Sequence, residues 1–244
     1  MNNRKILCVI PARGGSKGIP YKNIKDLNGK PLITYTIDIA RQLLNDDDIC
    51  VTTDDQRIID MVEKQGLKVP FVRPSHLATD QATTQDVLIH ALDFYEQKGQ
   101  FYDIILLLQP TSPFRLKQHL EEAINLYADN CDMVVSVREA SANPYYNLFE
   151  EDEFGYLHLS KGKENFTRRQ DAPTVWEYNG SIYVINRKSL KTSKISNFPH
   201  KIKYPMENIY SIDIDTPLDW IIAEEIIKEM NFSCNPYNMH YDYE

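Results

Sequence analysis

The stretch Ile6–Gly18, ILCVIPARGGSKG, joins an apolar run to a loop that holds three glycines, an arginine and a lysine. The apolar part has no polar alternation, which is typical of a central parallel strand covered on both faces. The loop follows at the carboxyl end of this strand, where open parallel sheets bind their ligands. Glycines let backbone N–H groups approach an anion closely, and the basic side chains add positive charge. The stretch therefore predicts an α/β fold with an anion site.

The remainder of the chain supports this fold class. Alternating apolar and amphipathic segments predict β-α-β units, and hence a Rossmann-like, mostly parallel sheet flanked by helices. The predicted strands are 5–10, 48–53, 69–74, 103–109, 132–138, 180–187 and 209–215. The predicted helices are 31–44, 55–66, 83–99, 117–130 and 216–230, the last with Thr216 as its N-cap.

Residues 138–174 break the alternation, because they are rich in aromatic, charged and turn residues and have no helical period. We interpret them as an inserted β-rich segment that serves as a dimerisation arm or a lid, although a plain surface meander fits as well. Residues 1–137 and 175–231 then form the α/β domain. Residues 232–244 form a loosely held tail.

The composition is that of a globular protein with a local basic site. Of the 244 residues, 42% are hydrophobic and 25% are charged, which argues against extensive disorder. The formal net charge of -8 argues against broad binding to nucleic acid or to an anionic membrane. The basic loop therefore stands out against an acidic background.

No apolar run approaches the roughly 20 residues that a membrane span needs. The apolar stretch near the N-terminus is also too short for a signal peptide. The cysteines, Cys8, Cys50, Cys131 and Cys234, are scattered and show no zinc-binding spacing. We interpret them as reduced thiols, the first three in strand cores, and we predict a cytoplasmic protein.

The basic loop does not fit the two most familiar phosphate motifs. A P-loop has its lysine directly after a glycine, whereas Lys17 precedes Gly18. A dinucleotide fingerprint needs the spacing G-x-G-x-x-G, which Gly14, Gly15 and Gly18 do not have. These mismatches argue against kinases and nicotinamide enzymes. By itself, the loop is also compatible with an ordinary glycine turn whose lysines are solvated.

Five blocks, in order along the chain, resemble the acylneuraminate cytidylyltransferases, or CMP-sialic acid synthetases. They are IPARGGSKGIPYKNI (10–24), RPSHLATDQATT (73–84), LLQPTSPFR (107–115), NGSIYVI (179–185) and SIDIDTPLDW (211–220). The resemblance runs from about residue 5 to about residue 230. It implies that the anomeric 2-hydroxyl of a sugar acid attacks the α-phosphate of CTP and that pyrophosphate leaves.

The resemblance also implies a nucleotide site. The residues that match it are Ala12, Arg13, Gly14, Gly15, Ser16, Lys17, Lys22, Asn23, Arg73, Ala82 and Thr84. Arg13, Lys17 and Lys22 correspond to the contacts with the triphosphate. Asn23 and Arg73 match positions near the cytosine and the nucleotide, and Ala82 and Thr84 lie in the loop that would border the base. An ordinary surface ion pair is the alternative for Arg73.

Matching positions for the sugar acid are Gln109, Ser112, Arg169, Asn179, Tyr183 and Phe198. Solvation is the alternative for Arg169, and a plain turn is the alternative for Asn179 with Gly180. Arg115 fits a role in the site or in the fold equally well. We identify no general base.

Asp213 and Asp215 are two residues apart on a predicted strand, so their side chains point to one face. Neighbouring carboxylates repel unless a cation lies between them, and Mg²⁺ prefers oxygen ligands. We therefore predict that this pair holds Mg²⁺ and that Arg13, Lys17, Lys22, Asp213 and Asp215 form the catalytic set. The alternative is that Asp215 only helps to cap the last helix.

These features together predict a cytidylyltransferase that couples CTP to a nonulosonic acid and works as a homodimer. Tyr146 stands where some sialic acid enzymes of the family have a lysine, which favours a related acid such as legionaminic acid. Pseudaminic acid and Kdo remain alternative substrates. A catalytically inactive nucleotide-binding module is the alternative of another class.

Overall fold

A computed structural model describes residues 4–162 and 166–233. The strands are β1 (Ile6–Pro11), β2 (Asp26–Leu27), β3 (Lys30–Pro31), β4 (Ile49–Thr52), β5 (Ile104–Leu108), β6 (Met133–Glu139), β7 (Phe149–Glu151), β8 (Leu157–Leu159), β9 (Trp176–Asn186) and β10 (Lys201–Pro205). The α-helices are α1 (Leu32–Arg41), α2 (Gln56–Lys64), α3 (Thr84–Gln97), α4 (Lys117–Asn125), α5 (Arg187–Thr192) and α6 (Pro217–Ser233).

Six of the strands form the central sheet, in the order β10-β6-β9-β5-β1-β4. β1 pairs in parallel with both β4 and β5, and β10 pairs in parallel with β6. Only β9 among the described strands of this sheet runs the opposite way, between β5 and β6. The predicted fold class, a mostly parallel sheet flanked by helices, is confirmed.

The unbroken apolar run of β1 reflects packing on both faces of the sheet. Cys8 and Ile10 lie in a core cluster with residues of α1, α2 and α4. Leu7 and Val9 lie in a second cluster with residues of α3 and α5. All four side chains are fully buried, so neither face of this strand tolerates a polar residue. This double cover fixes the end of β1, from which the basic loop starts.

The register of β9 brings its beginning to the edge of the sheet where β5 ends. Ile182 pairs with Leu108, the last residue of β5, so residues 176–181 extend past that strand. β6 continues alongside them, with Tyr178 opposite Val137. The first half of β9 therefore lies beside the loops that follow β1 and β5.

Two predicted strands are wrong. Residues 209–215 form no strand, because their backbone groups have other partners: Ile214 N–H donates to the Thr111 carbonyl at 2.8 Å, and the Ile214 carbonyl accepts from Lys22. Residues 69–74 make only one bridge, between Val72 and Thr53. Pro70 and Pro74 remove N–H donors from that segment.

Several local predictions are confirmed. Thr216 caps α6: its N–H donates to Asp219 Oδ2 at 2.7 Å, and Asp219 N–H donates back to its hydroxyl at 3.3 Å. Cys8, Cys50 and Cys131 are free and buried, although Cys131 lies just before β6. Cys234 and most of the predicted tail lie outside the described residues.

Within 138–174, the described residues contain the end of β6 and an isolated hairpin formed by β7 and β8. The domain boundaries drawn around this segment stay a prediction. Among the helices of the described residues, none has the length and apolar character needed to cross a membrane.

Candidate active site

The basic loop after β1 is tied to neighbouring strands through its backbone. Ala12 N–H donates to the Thr52 carbonyl at 2.9 Å, which extends the pairing of β1 with β4 by one residue. Gly14 N–H then donates to Asp54 Oδ1 at 3.1 Å. The path of the loop is therefore set by the strand that lies next to it in the sheet.

Gly18 and Gly15 serve different purposes in this loop. A Cβ atom on Gly18 would lie 2.1 Å from the Asp215 backbone carbonyl oxygen, so only glycine allows the loop to approach that segment. A Cβ atom on Gly15 would have no atom of another residue within 4 Å. Packing explains Gly18, whereas Gly15 borders open space that a ligand can enter.

Lys22 joins the loop region to the far end of the chain. Its side chain is only 9% exposed, and its Nζ donates to the Ile214 carbonyl at 2.6 Å and to Asp215 Oδ1 at 2.7 Å. Tyr21, which precedes it, has a left-handed backbone with φ of 53° and starts the tight turn that directs Lys22 inward. Asn23 donates from its side-chain amide to the Arg13 carbonyl at 3.1 Å, which braces the same turn.

The two other cations of the loop share one carboxylate. Arg13 Nη1 lies 2.8 Å from Asp80 Oδ1, and Lys17 Nζ lies 2.6 Å from Asp80 Oδ2. These hydrogen bonds from Lys17 and Arg13 hold the pKa of the Asp80 carboxyl below its usual range. We call Arg13, Lys17 and Lys22 the cationic cradle.

Asp213 and Asp215 differ in environment although both face the cradle. Burial raises the pKa of Asp213, and the charge of Asp215 raises it further. A hydrogen bond from Thr111 and the charges of Lys22 and Arg115 act in the opposite direction. Asp215 is 68% exposed and is held by Lys22. The predicted strand is absent, yet both carboxylates line the same pocket.

That pocket, the polar pocket, has a volume of about 440 Å³. Its walls come from the basic loop, from Lys22 and Asn23, from residues 109–111 after β5, and from Asp213 and Asp215. Cations and carboxylates thus face one another across a space large enough for a polyphosphate.

A second pocket of about 600 Å³, the aromatic pocket, lies next to it. Gln109 lines both pockets, so its side chain stands where they meet. Tyr178 and Tyr183 form part of the wall with their rings edge to face at 6.1 Å, and Thr84 contributes from the start of α3. Burial raises the pKa of Tyr183 to about 12, so its hydroxyl stays neutral.

Three predicted binding residues make contacts within the fold. Arg73 is buried and donates to the backbone carbonyl and the hydroxyl of Thr52. The amide of Asn179 is bonded to Ser136, Ser181 and Ser211. Phe198 is buried in the second core cluster, away from the lining of either pocket. These contacts indicate that the three side chains pack in the interior and hold neighbouring segments in position.

Three further predicted residues line neither pocket. Ser112 is fully buried, and its hydroxyl has no hydrogen-bond partner among the described residues. Ala82 belongs to the loop before α3. Arg169 opens onto a separate groove beside Arg138 and donates to the Ala140 carbonyl at 2.9 Å. Its own chain therefore does not bring Arg169 to the pocket that holds Gln109.

Sequence reasoning missed some functional neighbours. Thr111 bonds Asp213, and Asp80 bonds the cradle, yet both lay inside matched blocks without an assigned role. Arg115 is buried and donates to the Gln109 carbonyl and, at 3.1 Å, to Ser181 Oγ. It therefore holds the turn after β5 against β9. The sequence left its role open between the site and the fold, and these contacts show the part it plays in the fold.

A third cavity, of about 540 Å³, lies at the opposite edge of the sheet, beside the first residues of β1 and β5. It contains neither the glycine-rich loop nor the paired carboxylates. Its lining includes Arg4 and Lys5 but none of the residues of the five matched blocks, so we assign the site to the polar and aromatic pockets.

We expect Gly18→Ala to lower the free energy of unfolding by about 1 to 3 kcal/mol, because the added methyl group overlaps a backbone carbonyl. Gly15→Ala, the matched control, is expected to change it by less than about 0.5 kcal/mol. Urea denaturation of both variants measures the difference. Equal stability of the two variants would contradict the close approach of the loop to Asp215.

Comparison with known proteins agrees with this geometry. The family model described as "Cytidylyltransferase" matches residues 7–241. The chain is 36% identical over 234 residues to the CMP-N,N'-diacetyllegionaminic acid synthase of Legionella pneumophila, covering 92% of this chain and 97% of that protein. It is 32% identical over 224 residues to the pseudaminic acid cytidylyltransferase of Campylobacter jejuni, with 92% and 97% covered.

A further relative is longer than this chain. The N-acylneuraminate cytidylyltransferase of Streptococcus agalactiae serotype V is 37% identical over 220 residues, which are 89% of this chain but only 52% of that protein. Among solved structures, a CMP:2-keto-3-deoxy-manno-octonic acid synthetase complexed with CTP superposes with a TM-score of 0.66 at 20% identity, covering 93% of this chain and 99% of that one. That likeness supports the fold. The chain belongs to the cytidylyltransferase family, as a nucleotidyltransferase of the acylneuraminate cytidylyltransferase type.

Proposed function

We propose that this protein couples CTP to the anomeric 2-hydroxyl of a nonulosonic acid and releases pyrophosphate. One observation carries the proposal: the cationic cradle, Asp213 and Asp215 line a single pocket, and Gln109 connects that pocket to an aromatic one. A polyphosphate fits the first environment, and a sugar acid with acyl groups fits the second. Relatives of nearly the same length act on such sugars by name.

In the proposed reaction, the sugar hydroxyl loses its proton, its oxygen forms a bond to the α-phosphorus, and the bond to the pyrophosphate oxygen breaks, so that CMP-sugar, pyrophosphate and a proton are released. The cradle binds the triphosphate and stabilises the charge that builds up on the leaving group. Ser16, Lys17 and Gly18 of the basic loop line the pocket in which the phosphates would lie. Gln109, at the junction of the pockets, orients the sugar against the nucleotide, which lowers the entropic cost of bringing two anions together.

We propose Asp213 and Asp215 as the ligands of Mg²⁺. Among the described residues no group of three or more His, Cys, Asp or Glu side chains forms a metal cluster. Mg²⁺, however, commonly binds one or two carboxylates and completes its shell with substrate phosphates and water, so this donor pair fits it. Bound there, Mg²⁺ would supply charge neutralisation at the phosphates. Lys22 donates a hydrogen bond to Asp215 and thereby keeps that carboxylate beside the pocket.

Legionaminic acid is the substrate that we favour among the nonulosonic acids. Tyr146 in place of a lysine, together with the tyrosines and isoleucines of the aromatic pocket, favours a less polar sugar than N-acetylneuraminate. Pseudaminic acid is the second candidate, because a relative at 32% identity carries that name. The cytoplasmic location stays a prediction.

We expect pyrophosphate release when the protein is given CTP, Mg²⁺ and a panel of sugar acids. The panel contains N,N'-diacetyllegionaminic acid, pseudaminic acid, N-acetylneuraminic acid and Kdo. Release that is fastest with the legionaminic acid supports the proposal. Release with Kdo alone would identify Kdo as the substrate instead. No release with any acid would favour a nucleotide-binding module.

We expect Asp213→Asn and Asp215→Asn each to lower kcat by about 100-fold or more, because each removes a negative metal ligand. The Mg²⁺ concentration for half-maximal activity should also rise. Asp129→Asn is the control, since it neutralises an exposed carboxylate bonded to Arg4. Near-parental kcat and Mg²⁺ dependence in both site variants would show that the metal assignment is wrong.

We propose that a second copy of the chain covers the hairpin of β7 and β8. Its apolar side chains face solvent, with Phe154 74%, Tyr156 68% and Leu157 66% exposed. An exposed apolar patch of this kind is typical of a protein interface. Because Arg169 opens onto a separate groove in its own chain, a homodimer is also the arrangement in which it could contact a sugar acid.

We expect the protein to have a dimeric mass by light scattering. The double variant Phe154→Ser and Leu157→Ser should shift it toward the monomer, because it removes exposed apolar area from the hairpin. Ile209→Ser, which changes an exposed apolar residue outside the hairpin, is the control. A monomeric mass of the parent protein over a wide concentration range would contradict the proposal.

A further inference from the structure

Every cation of the cradle already has a carboxylate partner in the described structure. Lys22 is paired with Asp215, and Asp80 is shared by Arg13 and Lys17. The two carboxylates differ in what surrounds them. Asp215 lines the polar pocket beside Asp213, whereas Asp80 lies on the outer side of Arg13 and Lys17 and lines none of that pocket.

Asp80 belongs to a loop that is anchored at both ends and exposed between them. Arg73 is buried before the loop, and Thr83 forms a capping box with Asp86 after it. Thr79, Asp80 and Gln81 lie exposed between these anchors. The side chain of Asp80 thus binds an exposed loop to the cradle through two charged contacts.

We propose that Asp80 is an internal competitor: its carboxylate competes with the phosphates of the ligand for Arg13 and Lys17. The inference rests on the proposed function, because it assigns the cradle to a polyphosphate. A bound triphosphate needs both cations that Asp80 now contacts. Ligand binding therefore displaces it and releases the loop.

The charges decide which anions succeed in this competition. Asp80 offers one negative charge, and exposed ion pairs of this type are individually weak. Pyrophosphate and triphosphate carry several charges on adjacent groups and contact the cations together, so they displace it. A single phosphate gains less and is disfavoured. The same competition weakens the binding of product pyrophosphate, which aids its release.

The test compares anion binding by the parent protein, Asp80→Ala and Asp80→Asn, using calorimetry with sodium tripolyphosphate, pyrophosphate and orthophosphate. We expect both variants to bind tripolyphosphate and pyrophosphate about three- to ten-fold more tightly, which corresponds to the loss of two exposed ion pairs. Orthophosphate, which meets the same competitor, should gain by a similar factor. The asparagine variant keeps the side-chain size if alanine disturbs the loop.

Asp129→Ala is the matched control, because it removes the same charge from an exposed ion pair with Arg4 that is not part of the cradle. We expect its affinities to stay within about two-fold of the parent, as an exposed pair of this type contributes little. An equal gain in this control would assign the effect to net charge and would overturn the proposal.

Hydrogen exchange at residues 78–82 gives a second readout. In the parent protein, tripolyphosphate should speed exchange there, whereas in Asp80→Ala exchange should already be fast and insensitive to the anion. Unchanged or weaker anion binding in both Asp80 variants would overturn the proposal, since Asp80 would then shape the cradle instead of competing for it. These measurements use neither CTP nor a sugar acid, so an inactive result in the sugar panel leaves them valid.

Discussion

The contact of Lys22 with Ile214 and Asp215 is the interaction on which the rest of the site depends. Ile214 and Asp215 follow Lys22 by 192 and 193 residues in the chain. A nearly buried ammonium group is strongly unfavourable unless it is paired and hydrogen-bonded, and here a carbonyl and a carboxylate satisfy it together. Because Gly18 packs against the same segment, the turn and the loop fix the position of Asp213 and Asp215.

In the proposed function, the two pockets divide the recognition of two anionic molecules between different kinds of surface. The polar pocket offers fixed charges of both signs, and the aromatic pocket offers rings and aliphatic side chains. Arg115 lies behind their junction and holds the Gln109 carbonyl. Burial lowers the pKa of Arg115, while the charges of Cys8 and Asp213 act against that shift. Its hydrogen bonds to Gln109 and Ser181 make this arginine a buried support of the site.

The parts of the fold that local pattern determines were predicted well. The apolar sequences of β1 and β5 indicate buried strands because both faces of the sheet are covered. Thr216 is recognisable as a cap because its partner in the capping box, Asp219, is close in the sequence. β10 and α5 were missed, as both are short and the packing of neighbouring elements stabilises them. The strand predicted at 209–215 failed because its backbone bonds Thr111 and Lys22, which no local pattern reveals.

In the site, too, contacts between segments distant in the sequence escaped prediction. Side chains in the matched blocks were found by resemblance, but their partners were not. Arg73 and Asn179 turn toward the protein interior, and Asp80 turns toward the cradle, because distant loops meet there only in the folded chain.

The separation of Lys22 from Asp215 has a consequence for biosynthesis. A ribosome adds about 5 to 20 residues per second, so on the order of 10 to 40 seconds pass between the synthesis of the two partners. Throughout that interval the nascent chain carries Lys22 without the segment that pairs with it, whereas Asp80, the partner of Arg13 and Lys17, is made early. The polar pocket is therefore among the last features to mature, and a prematurely terminated chain would leave the Lys22 ammonium group uncompensated.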